Sequence, residues 1–200
     1  NMSDLDHESL KHSFTSTGSK LFWHQEFMQK LRDGKGMPIV THIMPTDICQ
    51  HTCAFCSVAT REGDVLGIDD ILDYLLELKS FGLKAVIISG GGNPILYKDK
   101  KSSCKFNDLA QMIHNIGLQM GLITNGMKMK DYEAYSPKLC VRRPTRKSWI
   151  TVDPEVLDLF TWIRISMSGL DHPEKEVFVP DVDPSKTTLG FSWVMHDRFL

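Results

Sequence analysis

Three cysteines fall at Cys49, Cys53 and Cys56, in the stretch CQHTCAFC. Three soft thiolates on one compact loop can turn onto a common centre, and soft thiolates suit zinc and iron–sulfur clusters. A structural zinc site normally closes with four protein ligands. Here one ligand is lacking, and three readings follow. The first is a cubane iron–sulfur cluster held at three irons, with the fourth iron open to a different partner. The second is a zinc site that borrows His51, which lies between the first two cysteines. The third is a set of unrelated buried thiols. A disulfide framework fits poorly, because the chain has 5 cysteines, an odd number. Cys104 and Cys140 are too few for an auxiliary cluster and are expected as free thiols.

The elements that must position this loop have the pattern of repeated βα units. A helix is expected over 19–32, with Leu21, Phe22, Met28 and Leu31 on its apolar side. MPIVTHIM (37–44) reads as a strand, and the cysteine loop follows it directly. GIDDILDYLLELKSFG is an amphipathic helix with Asp69 and Asp70 near its positive end. KAVIIS (84–89) is a near-continuous apolar strand of the kind buried on both faces of a parallel sheet. A helix over 107–117, a strand over 118–123, a short helix near 129–135 and a helix over 154–160 follow. Strands over 162–168 and 188–196 complete the pattern. Such a chain is α/β with a parallel sheet, and its functional residues gather at the carboxyl ends of the strands. The cysteine loop, GGGNP, TNG and Ser166–Ser168 all fall on that edge.

C-x3-C-x2-C directly after a first strand, with the aromatic Phe55 before the last cysteine, resembles the radical S-adenosylmethionine superfamily. The resemblance implies a 4Fe–4S cluster on Cys49, Cys53 and Cys56, with S-adenosylmethionine chelating the remaining iron through its amino and carboxylate groups. It implies one-electron cleavage of the sulfonium to a 5′-deoxyadenosyl radical, which abstracts a substrate hydrogen atom. That chemistry belongs to the cofactor pair, so no catalytic side chain is singled out. Phe55 is expected near the adenine, although a packing aromatic would look the same.

SGGGNP (89–94) resembles the family's glycine-rich motif, often written G-G-E-P or G-G-G-E-P, which binds the cofactor's amino group. Gly90, Gly91, Gly92 and Asn93 are the candidates, since glycine lets backbone carbonyls approach a ligand closely. Asn93 stands where an acid is common, and an amide oxygen accepts from an ammonium without charge assistance. A weaker cofactor site, or compensation by a nearby acid, is expected. GLITNG (121–126) resembles the family's third-strand segment and makes Thr124 and Asn125 candidates. Alternation on the fourth strand puts Trp162, Arg164 and Ser166 on one face and Ile163, Ile165 and Met167 on the other. The family often places a polar side chain there, against the ribose or carboxylate, so Arg164 and Ser166 are candidates. An internal ion pair is the alternative for Arg164.

The resemblance spans 37–196 and implies a partial (β/α)6-type TIM barrel. The expected core domain is 37–200, preceded by a polar segment and helix over 1–36. No sixth strand is legible, so the barrel is expected to be truncated after the fifth. The family also implies a reductant such as flavodoxin or ferredoxin. A non-catalytic iron–sulfur or zinc-binding module, acting as a partner subunit, is the competing class.

Composition narrows the rest. The 200 residues have a formal net charge of −2, with 42% hydrophobic and 24% charged residues, as in ordinary globular chains. That balance argues for neither a nucleic-acid nor a membrane partner. The segment KLCVRRPTRK (138–147), with five basic residues and no acid, is the one weak pointer to a nucleic acid or phosphate. The first twenty residues lack the basic and apolar runs of a secretory signal, and no apolar run is long enough to span a membrane. Cytoplasmic placement is the expectation. His42, His51 and His114 read as structural, and Asp171 and His172 lie at the reactive edge, where they can meet substrate.

Overall fold

The computed structural model describes residues 24–126 apart from 54 and 59, then 152–167, 180 and 182–194, with the backbone of 132–133 and 149–150. Helix α1 (Gln25–Arg32) leads to strand β1 (Val40–Ile43). Helix α2 (Ile68–Ser80), β2 (Ala85–Ile88), α3 (Phe106–Asn115) and β3 (Gln119–Thr124) follow. The short strands β4 (Tyr132–Glu133) and β5 (Trp149–Ile150) pair antiparallel as a separate ribbon. Helix α4 (Pro154–Leu157), β6 (Trp162–Ser166) and β7 (Thr188–Ser192) complete the order.

Five strands form one sheet in the order β1-β2-β3-β6-β7, every neighbouring pair parallel. Strand order follows chain order. A doubly wound sheet reverses direction at a switch point and lays helices on both faces. Here each crossover steps the same way, so the helices fall on one face. The buried cluster shows it: Ile71 and Leu75 of α2, Leu109 and Ile113 of α3, and Val156 and Leu157 of α4 pack with Val86, Ile88, Leu122, Ile163 and Ile165. The architecture is α/β, the five-stranded wall of a partial (β/α) barrel.

The strand sequences explain the layering. In β6 the burial alternates, with Ile163 and Ile165 buried toward the helices, Arg164 exposed, and Trp162 and Ser166 half-buried on the concave face. Gly121 of β3 lies beside Trp162 in register, and a Cβ there would run into the indole ring. Its lack of a side chain lets the Trp162 ring lie across the neighbouring strand.

Two expectations need correction. The helix expected near 129–135 is not formed at Tyr132–Glu133, which pairs with Trp149–Ile150 instead. On α1 it is Phe27 that is buried, whereas Leu31 is 58% exposed. Phe27 sits under Gly82 after α2, a contact no local periodicity announces. His42 and His114 are both exposed. Leu21, Phe22, Ser168, Cys140, Asp171, His172 and the basic stretch 138–147 lie outside the described residues. Among the described residues no helix is long and apolar enough to cross a membrane.

Candidate metal and cofactor site

The cysteines lie on a closed loop at the carboxyl end of β1. Its two limbs are clamped together, with the Leu66 N–H donating to the Pro45 carbonyl (3.0 Å) and the Asp47 N–H to the Asp64 carbonyl (3.0 Å). Thr46 reinforces the clamp: its hydroxyl donates to the Asp64 carbonyl at 3.0 Å and accepts from the Ile48 N–H at 3.1 Å. Glu62 N–H donates to Asp47 Oδ2 at 2.9 Å. A loop pinned at its base holds its interior residues in a narrow range of positions, which a multidentate site requires.

Within the loop, Cys49, Cys53 and Cys56 are half-buried, and the Cys56 N–H donates to the Cys53 carbonyl at 3.1 Å. Burial pushes the Cys49 thiol above its usual range. A hydrogen bond from the His51 backbone, the positive charge of Arg61 and the Asn125 amide partly offset that burial. Metal binding to such a thiol releases its proton.

The glycine loop is stitched to this one. Gly92 N–H donates to the Thr46 carbonyl (3.2 Å), and Asn93 N–H donates to the Ile48 carbonyl (2.8 Å). A Cβ on Gly92 would overlap the Ile48 carbonyl, so only glycine permits this approach. Gly90 opens the loop, folded against the Gly92 carbonyl, and Gly91 stands beside Asp47 and Val58.

A side chain that the sequence does not single out joins the two loops. Arg61 Nε donates to the Gly91 carbonyl at 3.0 Å, Nη1 to the His51 carbonyl at 3.3 Å, and Nη2 to Cys56 Sγ at 2.9 Å. A second set of contacts brings in β3. Asn93, 1% exposed, accepts from the Thr124 hydroxyl at 2.8 Å. Its amide nitrogen donates to Asn125 Oδ1 at 3.0 Å and to Gln50 Oε1 at 3.3 Å. Gln50 Nε2 donates to the same Asn125 oxygen at 2.8 Å, and Asn125 Nδ2 points to Cys49 Sγ at 3.7 Å.

Cys49, Cys56, Gly91, Asn93, Thr124 and Asn125 therefore belong to one hydrogen-bonded unit, completed by Arg61 and Gln50. Thr124 reaches the site through Asn93, since it is buried on the helix side of β3. Phe55 is half-buried between Cys53 and Cys56. Arg164 and Ser166 stand on the concave face of β6, Ser166 opposite Ser192 in register. Among the described residues no carboxylate pairs with Arg164. His51 is buried, with its backbone turned to Arg61 and Cys49. Cys104 is free and half-buried.

Among the described residues no trio of His, Cys, Asp or Glu already converges where one metal ion would sit. The fit to an iron–sulfur cluster rests on the donor set. Three thiols share a pinned loop, and N–H donors from Arg61 and Asn125 already point at two of the sulfurs. N–H···S bonds of this kind stabilise thiolates bound to iron.

The model of the radical SAM superfamily matches residues 43–140. Over 97 residues the chain is 32% identical to a probable GTP 3′,8-cyclase of Saccharolobus islandicus (strain M.14.25 / Kamchatka #1), covering 47% of this chain and 29% of the relative. Over 74 residues it is 32% identical to 5-amino-6-(D-ribitylamino)uracil--L-tyrosine 4-hydroxyphenyl transferase 2 of Methanosarcina acetivorans, covering 34% of this chain and 19% of that one. The chain thus spans less than a third of the length of the curated relatives it matches. Among solved structures, Streptococcus suis SuiB bound to S-adenosylmethionine aligns at 19% identity with a TM-score of 0.46, over 80% of this chain and 33% of that one. That likeness is too loose to argue from.

Proposed function

The chain belongs to the radical SAM superfamily, and from that premise we propose that it forms the core of an enzyme that binds a 4Fe–4S cluster and S-adenosylmethionine. Cys49, Cys53 and Cys56 hold the cluster in this reading. Together, the bound pair supplies reductive cleavage of the sulfonium to a 5′-deoxyadenosyl radical that takes a hydrogen atom from a substrate.

One observation carries the reading: the cysteine loop and the glycine loop are fastened to each other at the carboxyl edge of a parallel wall. A cluster and an amino-acid-bearing cofactor must meet within bonding distance, and two loops joined at Gly92, Asn93 and Arg61 hold their binding groups in fixed relation. The backbone of Gly90–Gly92 lines the place for the amino group. Asn93, whose oxygen keeps a second lone pair beside the Thr124 bond, adds a neutral acceptor. Phe55 offers a flat face for the adenine. In this reading Arg164, cationic and exposed on the concave face, meets the cofactor's carboxylate, and Ser166 its ribose.

An external one-electron donor of the flavodoxin or ferredoxin type completes the scheme. The substrate is a separate matter, because the two relatives are named for different chemistry, a GTP cyclase and an aryl transferase.

The test is anaerobic reconstitution with iron and sulfide, then dithionite and S-adenosylmethionine. The expected result is an iron–sulfur chromophore and release of 5′-deoxyadenosine, both lost when Cys56 is replaced by Ala. Zinc in place of iron, or a loaded cluster that releases no 5′-deoxyadenosine, overturns the proposal.

A further inference from the structure

The environment of Arg61 goes further than the cofactor-binding role of the two loops. Its guanidinium is a rigid fork of N–H donors that carries a permanent charge. All three nitrogens are engaged: Nε with the Gly91 carbonyl, Nη1 with the His51 carbonyl and Nη2 with Cys56 Sγ. The last contact, at 2.9 Å, is short for a nitrogen–sulfur pair. Among the described residues no carboxylate forms an ion pair with this guanidinium. Its charge is therefore directed at a sulfur and two carbonyl oxygens, one from each of the two loops.

We propose that Arg61 is a positioning residue that sets the reduction potential of the cluster held by Cys49, Cys53 and Cys56, and fixes the glycine loop against it. The inference rests on the iron–sulfur reading above. The electrostatics set the sign. Taking up one electron makes the cluster and its thiolates more negative, and a fixed cation hydrogen-bonded to one thiolate stabilises that state. Arg61 therefore makes the cluster easier to reduce. The same side chain holds Gly91, so a change at the cluster is felt at the carbonyls that would receive the cofactor's amino group.

The experiment is a redox titration of the reconstituted protein, followed by electron paramagnetic resonance, with iron content measured in parallel. Arg61→Met keeps an unbranched stem and removes charge and donors. It is expected to take up iron as the unaltered protein does and to shift the midpoint negative. A tenfold loss of reduced cluster at fixed applied potential corresponds to about 59 mV for one electron. Arg61→Lys, which restores the charge and a single donating nitrogen, should recover part of the shift.

An unmoved midpoint in Arg61→Met at full iron content overturns the role of Arg61 and leaves the iron–sulfur reading standing. Unaltered protein that takes up no iron overturns both. Should Arg61→Met fail to hold iron, the unaltered protein labelled with 15N-arginine decides the matter. Hyperfine coupling from a guanidinium nitrogen to the reduced cluster supports the proposal, and its absence overturns it.

Discussion

At the scale of single residues, the departure at Asn93 becomes intelligible from its partners. Its nitrogen donates to two carbonyl-type oxygens, on Asn125 and Gln50, while its oxygen accepts from Thr124. An acid there would face two acceptors with no proton to share. Asn125 cannot simply turn its amide over, because its own nitrogen is directed at Cys49 Sγ. Asn93→Asp is therefore expected to lower stability by about 1–3 kcal/mol, the cost of leaving buried polar groups unmatched. Urea unfolding at neutral pH reads this out, and an unchanged midpoint would show that the amides reorient freely. Gly92→Ala makes a parallel case. The added methyl meets the Ile48 carbonyl, and a backbone group cannot step aside as a flexible side chain can. A loss of about 1–3 kcal/mol is expected, with reduced iron uptake on reconstitution. The cysteines stood out by residue type and spacing, and the glycines by their resemblance to the family's glycine-rich motif. Arg61 and Gln50 did not: Arg61 is one cation in an ordinary stretch, and Gln50 is one of the spacer residues between cysteines. Their roles exist only once the loop has closed.

At the scale of elements, α2 shows how a helix end is completed by a distant part of the chain. Its N-cap is Gly67, which offers no side-chain acceptor. Asp99, buried on the loop after β2, supplies it: Oδ1 accepts from the Ile68 N–H at 3.3 Å, and Oδ2 accepts from the N–H groups of Lys101 and Ser102. A carboxylate at a helix N-terminus also meets the positive end of the helix dipole. Hydrogen bonds from Ser102 above all hold the Asp99 carboxyl below its ordinary range. A carboxyl whose folded pKa is depressed binds its proton more readily in the unfolded chain, so its contribution is fully present above the unfolded value, about 4. It is lost as pH falls through the lower, folded value. Asp99→Asn should thus reduce stability at neutral pH and flatten the acid limb of the stability curve. Urea midpoints measured from neutral pH down into the carboxylate range check this, and a variant that keeps the full acid slope would contradict it. Nothing local predicts the pairing of Asp99 with Ile68, because the two are brought together only by the strand between them. The same holds for α1, where tertiary contact with Gly82 selected Phe27 over Leu31.

At the scale of the molecule, the wall was legible because each strand carries its own instruction. Apolar runs such as AVII in β2, set between amphipathic helices, leave few arrangements except parallel pairing with the helices packed outside. The short ribbon of β4 and β5 was not legible. Two residues per strand give no periodicity to read, and their pairing spans a long connection. One strand suffices to test the layering. Ile165 of β6 is fully buried in the cluster beneath the helices, and its neighbour Arg164 is exposed on the concave face. Ile165→Ala opens a cavity among packed side chains and should cost about 2–5 kcal/mol. Arg164→Ala removes a side chain from solvent and should stay within about 0.5 kcal/mol. Unfolding curves of the two variants, recorded before any reconstitution, compare the faces directly. Equal losses, or a larger one at Arg164, would mean that both faces of the strand are packed. Helices on one face alone would then no longer describe the molecule, and the concave side would not be open for a cofactor and substrate.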